Sequence, residues 1–303
     1  MARVLIERGE FIDSERDNRK VPFKFYYPEG EKNLPLVVWS HGLGGGADGA
    51  GFIARHLAEN NYAVLHLQHL GTDTSLWEGK PGHPWENIRK AFIPRKAVLN
   101  RYKDVPFVMQ FIEAEAQKNN PIWSIIDFSR LGMSGHSFGS LTTQIMAGQY
   151  IVKGSRKYQL PWPAFKAGIL YSPVPAHRHG ADPAIMYSGF QIPMFFMTGT
   201  DDESPLEGFT YDLRLAPYEH SGAPESYLLV LKDGDHMVYN GSRGQLKENS
   251  KRERHEDIIL QASLAYWNYY LKGEKEGLDW LVKGGFANYL GADGTFEHKR
   301  LDS

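Results

Sequence analysis

The 303-residue sequence predicts an α/β fold, a mostly parallel, doubly wound sheet with helices on both faces. Three observations carry this expectation. Short, near-continuous apolar runs recur along the chain, and each ends in a polar or glycine cluster. Runs of that length suit strands buried on both faces, as the central strands of a parallel sheet are. Stretches with helical spacing lie between them, and strand alternating with helix implies right-handed crossovers. No internal repeat, low-complexity tract or Pro/Ser linker breaks the pattern. A single domain over 1–303 is therefore expected, with edge strands in 1–30, the core in 34–272 and a C-terminal extension in 273–303.

The elements follow in order. Segments 3–8 and 22–27 predict an antiparallel edge hairpin. "LPLVVWS" (34–40) is the first central strand, and 50–60 is a helix with Phe52, Ile53 and Leu57 on one face. "YAVLHLQ" (62–68) is the next strand. Residues 104–118 predict a helix with Asp104 as its N-cap and Pro106 in the first turn, the two positions such residues favour. "SRLGMS" (129–134) is a strand and 137–150 a helix. "KAGILYS" (166–172), "IPMFFMTG" (192–199) and "SYLLVLK" (226–232) are strands, and 256–272 is a helix.

Composition narrows the function classes. The 7 Trp, 16 Tyr and 16 Phe can fill a core and still line a pocket. A formal net charge of −2 gives no reason to expect nucleic acid or an anionic membrane as partner. With no cysteine, disulfides, thiolate metal sites and a cysteine nucleophile are excluded. No run approaches the length of an integral membrane segment, and the charged N-terminus lacks the apolar stretch of a signal peptide. A soluble protein is expected, cytoplasmic as written and periplasmic or secreted if a leader has been removed.

"GHSFG" (Gly135–Gly139) fits G-x-S-x-G, between an apolar strand and the helix it opens. In a strand–turn–helix elbow the serine is held in strained geometry with Oγ exposed above the sheet. Ser137 is thus the candidate nucleophile. His136 is not its base, because neighbouring side chains on an extended turn point apart while a base must come within about 3 Å of the hydroxyl. It is expected to be a packed, hydrogen-bonded residue beneath the elbow.

The partners should follow in the order serine, acid, histidine, each just past a strand end. "MFFMTGTDDESP" delivers Asp201, Asp202 and Glu203, and "YLLVLKDGDHMVY" delivers Asp233, Asp235 and His236. His236 is the expected base. Asp202 is favoured over Asp201 as the acid that orients it, since it lies beyond the strand where the turn can bend toward His236. Asp233 and Asp235 sit too close to His236 in the same loop to reach its far nitrogen. His177 and His179 in "PAHRHG" lack a third ligand at metal spacing and are read as loop residues. No metal and no organic cofactor are expected.

A serine mechanism also needs an oxyanion hole. One donor should be the backbone N–H of Phe138, after the nucleophile, and the other an N–H of the glycine-rich "WSHGLGGGADG" (39–49), with Leu43 the candidate. That cluster lacks the spacing of a dinucleotide fingerprint and the Lys-Ser/Thr of a P-loop.

Together "WSHGLGGG" and "GMSGHSFGS" resemble the α/β-hydrolase superfamily, and within it the platelet-activating factor acetylhydrolase and dienelactone-hydrolase-like serine esterases, over roughly 20–272. The resemblance implies an α/β-hydrolase fold and supports Leu43 and Phe138 as oxyanion donors. In the animal acetylhydrolases the acid follows the preceding strand. The matching stretch here, "GILYSPVP", has no carboxylate. That departure favours Asp202 and weakens transfer of the acetylhydrolase substrate. The dienelactone hydrolases proper use a cysteine that this chain lacks.

The connection 174–191 is too short for a separate cap domain. The longest loop, 69–96, carries Trp77, Trp85 and Phe92, which either wall an apolar pocket with Met237 nearby or simply anchor the loop. The expected activity is serine-dependent hydrolysis of small to medium carboxylic esters, aromatic or short-acyl. Phospholipase or acetylhydrolase, polyester and acyl-transfer or perhydrolysis chemistry are alternatives, as is a non-catalytic binding relative. With His236 as base, a single ionisation between about pH 6 and 7.5 is expected.

Overall fold

The computed structural model describes residues 3–241 and 248–301. The ends of the expected 1–303 domain, with the leading Met-Ala, lie outside the described residues. The fold is α/β, with parallel central strands and helices packed on them. The chain forms two compact units, Met1–Leu131 and Gly132–Ser303, with the boundary inside one strand.

The first unit begins with β1 (Val4–Asp13) and β2 (Arg19–Pro28), an antiparallel pair longer than the hairpin expected. Next come β3 (Leu34–Ser40), α1 (Gly51–Glu59), β4 (Ala63–Leu67), α2 (Pro84–Lys90) and α3 (Arg95–Gln117). The strands run in the order β1-β2-β4-β3, with β3 and β4 parallel. Every residue of β3 and β4 is buried, as their unbroken apolar runs require. Phe11, Phe23, Phe25 and Trp123 pack ring against ring, with centroids 4.5–5.6 Å apart.

The expected helix 104–118 is corrected. It starts nine residues earlier, at Arg95 after Pro94, so Asp104 is no cap and Pro106 lies inside it. The first turns are polar and give little periodic signal. Asp104 turns its carboxylate to Arg16, Arg19 and His69 rather than to backbone N–H groups. Pro106 removes one i→i−4 hydrogen bond from the helix.

The boundary strand is β5 (Ile126–His136), followed by α4 (Phe138–Met146). A small hairpin, β6 (Ile151–Lys153) and β7 (Arg156–Tyr158), precedes β8 (Phe165–Tyr171), α5 (Pro183–Tyr187), β9 (Met194–Asp201), α6 (Ala216–Glu219) and β10 (Glu225–Asp235). The chain ends with α7 (Arg252–Lys272), α8 (Lys275–Val282), α9 (Gly285–Leu290) and β11 (Gly294–Arg300). Within this second unit the order is β5-β8-β9-β10-β11, with β8, β9 and β10 parallel and β11 antiparallel on the edge. The segment 273–303, expected as an extension, thus supplies two helices and the edge strand. Ile258, Ile259, Ala262, Tyr266 and Trp267 of α7 are buried. A Cβ at Gly132 would meet the Trp267 ring at 2.5 Å, which is why β5 carries glycine there.

Candidate active site

The C-terminal ends of β5, β8, β9 and β10 carry one cluster of polar side chains. It begins at the turn between β5 and α4. Ser137 has φ 54° and ψ −118°, a conformation that costs an L-residue on the order of 1–3 kcal/mol and persists only where the surroundings enforce it. Its N–H donates to the Tyr171 carbonyl at 2.9 Å, and its own carbonyl accepts from Ser140 Oγ at 2.7 Å and from Leu141 N–H at 3.2 Å.

His236 follows β10. Its Nε2 lies 3.1 Å from Ser137 Oγ and its Nδ1 2.6 Å from Asp202 Oδ1. The proton on Nδ1 goes to the carboxylate, which leaves Nε2 as the acceptor facing the serine. Asp202, fully buried after β9, accepts from Thr198 Oγ1 at 2.8 Å on its other oxygen. Asp201 ends β9, exposed. The two strand ends can meet because Gly199 and Gly234 touch: a Cβ on Gly199 would sit 2.2 Å from the Gly234 carbonyl oxygen. Asp235 is engaged locally, accepting from Met237 N–H and Asn249 Nδ2 at 2.8 Å each. His136 is buried under the turn, and its Nε2–H donates to the His236 carbonyl at 2.7 Å.

Two members of this cluster were not anticipated. Ser172 directly follows β8 with φ 59°, and its hydroxyl donates to Asp202 Oδ1 at 2.9 Å while lying 2.9 Å from His236 Nδ1. It lies in the stretch "GILYSPVP", which has no carboxylate, so the polar contact there is made by a hydroxyl. Arg214 is 1% exposed and forms an ion pair with Asp202, Nε to Oδ1 at 3.0 Å. Ser172 could have been suspected from "YSP", a polar residue closing an apolar run. Arg214 has no local signal, being one charge among many in its loop.

Burial disfavours the charged form of His236, and Arg214 adds to it; together they outweigh Asp202 and hold the imidazole below its ordinary 6.5. Burial would raise the Asp202 carboxyl, but Arg214 and His236 hold it well below the usual carboxylate range. His136 is lowered to about 3 by burial and the neighbouring His236.

Phe138 opens α4 directly after Ser137, and Met237 is buried directly after His236. Leu43 lies in the first unit, half-buried in a turn closed by Gly45 N–H to the Gly42 carbonyl at 3.0 Å. Trp77 anchors that turn, its indole N–H donating to the Gly44 carbonyl at 2.7 Å. Gly44, at φ 73°, has no room for a Cβ, which would meet Ile88 Cδ1 at 2.4 Å. Trp85 is half-buried in α2. His177 Nδ1 lies 3.1 Å from Tyr187 Oη, and His179 is exposed. Among the described residues no three His, Cys, Asp or Glu side chains gather as a metal site, and no helix is long and apolar enough to cross a membrane.

Behind the glycine turn, the first unit holds a second buried polar line. Ser40 Oγ lies 3.0 Å from His69 Nε2, and His69 Nδ1 lies 3.0 Å from Asp104 Oδ2. Ser40, His69 and Asp104 are all fully buried, and Ser40 Oγ also accepts from Arg101 at 2.9 Å, so this line is structural. Arg101 further binds the His41 carbonyl and Thr72 Oγ1, and His69 N–H donates to His41 Nε2, which ties residues 40–44 to 69–73. Burial lowers His69 to about 4, so it is neutral at pH 7. Burial opposes ionisation of Asp104, but the bonds from Arg19 and His69 prevail and bring it from 3.8 to about 2. This contribution to stability is present above pH 3.8 and is lost as pH falls toward about 2. Asp104→Asn leaves Arg16 and Arg19 without their shared anion. It should cost about 3 kcal/mol, read as a lower denaturant midpoint at pH 7.

No model of a known protein family matches the chain, and no curated protein matches it.

Proposed function

We propose that this chain is a serine carboxylic ester hydrolase with an α/β-hydrolase fold, acting through an acyl-enzyme on small to medium esters. One observation carries the reading. Ser137 Oγ, His236 and Asp202 form a hydrogen-bonded line of 3.1 and 2.6 Å, on three strand ends, in the chain order serine, acid, histidine. The order and the strained serine match the elbow logic of that fold.

In this mechanism Ser137 Oγ attacks the ester carbonyl carbon and its proton passes to His236 Nε2. The imidazolium is stabilised by Asp202, which stays ionised. Oxyanion charge is met by the N–H of Phe138 at the first turn of α4, where backbone donors and the helix dipole favour a negative charge. The second donor rests on sequence, which assigns it to Leu43. The tetrahedral species expels the alcohol, protonated by His236. Water, deprotonated by the same nitrogen, then releases the acid and restores Ser137. Met237, buried directly after His236, is the side chain proposed for the substrate side.

Hydrolysis of p-nitrophenyl acetate tests the reading, and a folded protein that releases no p-nitrophenol overturns it. The pH profile sharpens the test. The base must be neutral, so kcat/KM rises with pH through the His236 ionisation and then levels off. Since burial and Arg214 disfavour the imidazolium, the midpoint should fall below 6.5. That places it in the lower part of the window of about 6 to 7.5 expected from sequence, or below it. A midpoint above 7 would mean that the carboxylate wins.

A further inference from the structure

We propose that Arg214 is a positioning residue for the His236–Asp202 pair, holding the carboxylate in place and setting a fixed positive charge against the imidazolium form of His236. The proposal rests on the reading of Ser137, His236 and Asp202 as the reacting groups. A buried guanidinium is costly unless it is paired and its donors are used, and here the pairing and the Nε and Nη1 donors are used in a specific way. Nε donates to the Asp202 carbonyl at 2.9 Å and pairs with Asp202 Oδ1 at 3.0 Å. Nη1 donates to the Pro173 carbonyl at 3.0 Å, and Nη2 lies 3.2 Å from His236 Nδ1. One side chain therefore binds the segments leaving β8, β9 and β10. Its guanidinium carbon also lies 4.7 Å from the Phe209 ring centroid, so its plane has a fixed support.

The contact with Nδ1 distinguishes this arginine from a structural one. With Nδ1–H given to Asp202, Nη2 cannot donate to that nitrogen, and the two groups meet as a cation beside an N–H. That juxtaposition penalises a second proton on the ring. The other groups facing His236 are Asp202, with the Ser172 hydroxyl beside it, His136 beneath, its ring centroid 4.8 Å away, and Asp235 on β10. Both carboxylates favour the imidazolium. Arg214 opposes it, and Arg178 and Glu207 stand behind Arg214.

The test follows the His236 Cε1–H resonance against pH in a Ser137→Ala background, where no turnover interferes. Arg214→Gln should raise the titration midpoint by about one pH unit, roughly a tenfold change in proton affinity. Arg214→Lys keeps the charge but loses the planar fork. It should move the midpoint less and, with Ser137 intact, reduce kcat on the alkaline plateau about tenfold, with KM little changed. An unchanged midpoint in folded Arg214→Gln overturns the proposal. If Arg214→Gln does not fold, an Arg214→Lys protein with unchanged midpoint and unchanged kcat overturns it instead. A chain that hydrolyses no ester, yet shows the shift, refutes the ester hydrolase reading and leaves the Arg214–His236 coupling standing.

Discussion

Ser137→Ala should lower ester hydrolysis by about 10⁵- to 10⁶-fold with the fold intact, because it removes the atom that attacks. The effect on stability should be small. The Ser137 hydroxyl meets His236 Nε2, while the bonds that shape the turn use its backbone N–H and carbonyl, which alanine retains. A fluorophosphonate probe should label Ser137 and no other serine of the motif. Ser134 is buried, and Ser140 Oγ is committed to the carbonyls of Ser137 and Ser172 at 2.7 and 3.0 Å. Labelling of Ser134 or Ser140, or full activity in the alanine variant, would sink the nucleophile assignment.

Asp202→Asn should reduce kcat on the order of 10⁴-fold. An asparagine can turn its amide N–H toward His236 Nδ1. The ring proton then moves to Nε2, the nitrogen that must accept from Ser137. The same substitution leaves the Arg214 guanidinium buried without its anion, so a stability loss of about 3 kcal/mol should accompany the kinetic one. Asp201→Asn, one residue earlier and exposed, should change kcat less than about threefold, as surface substitutions away from the reacting groups do. Steady-state kinetics on both variants decides between them. If the two effects are reversed, Asp201 is the orienting acid.

The central strands and the serine turn are legible in the sequence, and the reason is local. A strand buried on both faces must be apolar at consecutive positions, so "LPLVVWS" and "MFFMTG" announce themselves wherever they fold. The elbow is legible for the same reason: G-x-S-x-G, the strand before it and the helix after it lie within about twenty residues. The start of α3 was misread because Asp and Pro near an apolar periodicity look like a cap. Asp104 has two arginines and a histidine waiting in space, which no local pattern encodes. β11 was missed because "GTFEHKR" is an edge strand, mostly wet, and needs no apolar run.

The choices left to tertiary structure are those made by groups far apart in sequence. Whether Asp201 or Asp202 reaches His236 depends on where β9 stops pairing and on the contact of Gly199 with Gly234, since successive residues of a strand face opposite ways. Ser172 became part of the cluster only because β8 lies beside β9. The direction of the His236 shift was decided by burial, to which a guanidinium 22 residues away in sequence adds. A carboxylate beside a histidine is predictable from spacing. The burial and the opposing cation that outweigh it exist only in the folded chain, because both the low dielectric and the 3.2 Å approach of Arg214 are products of packing.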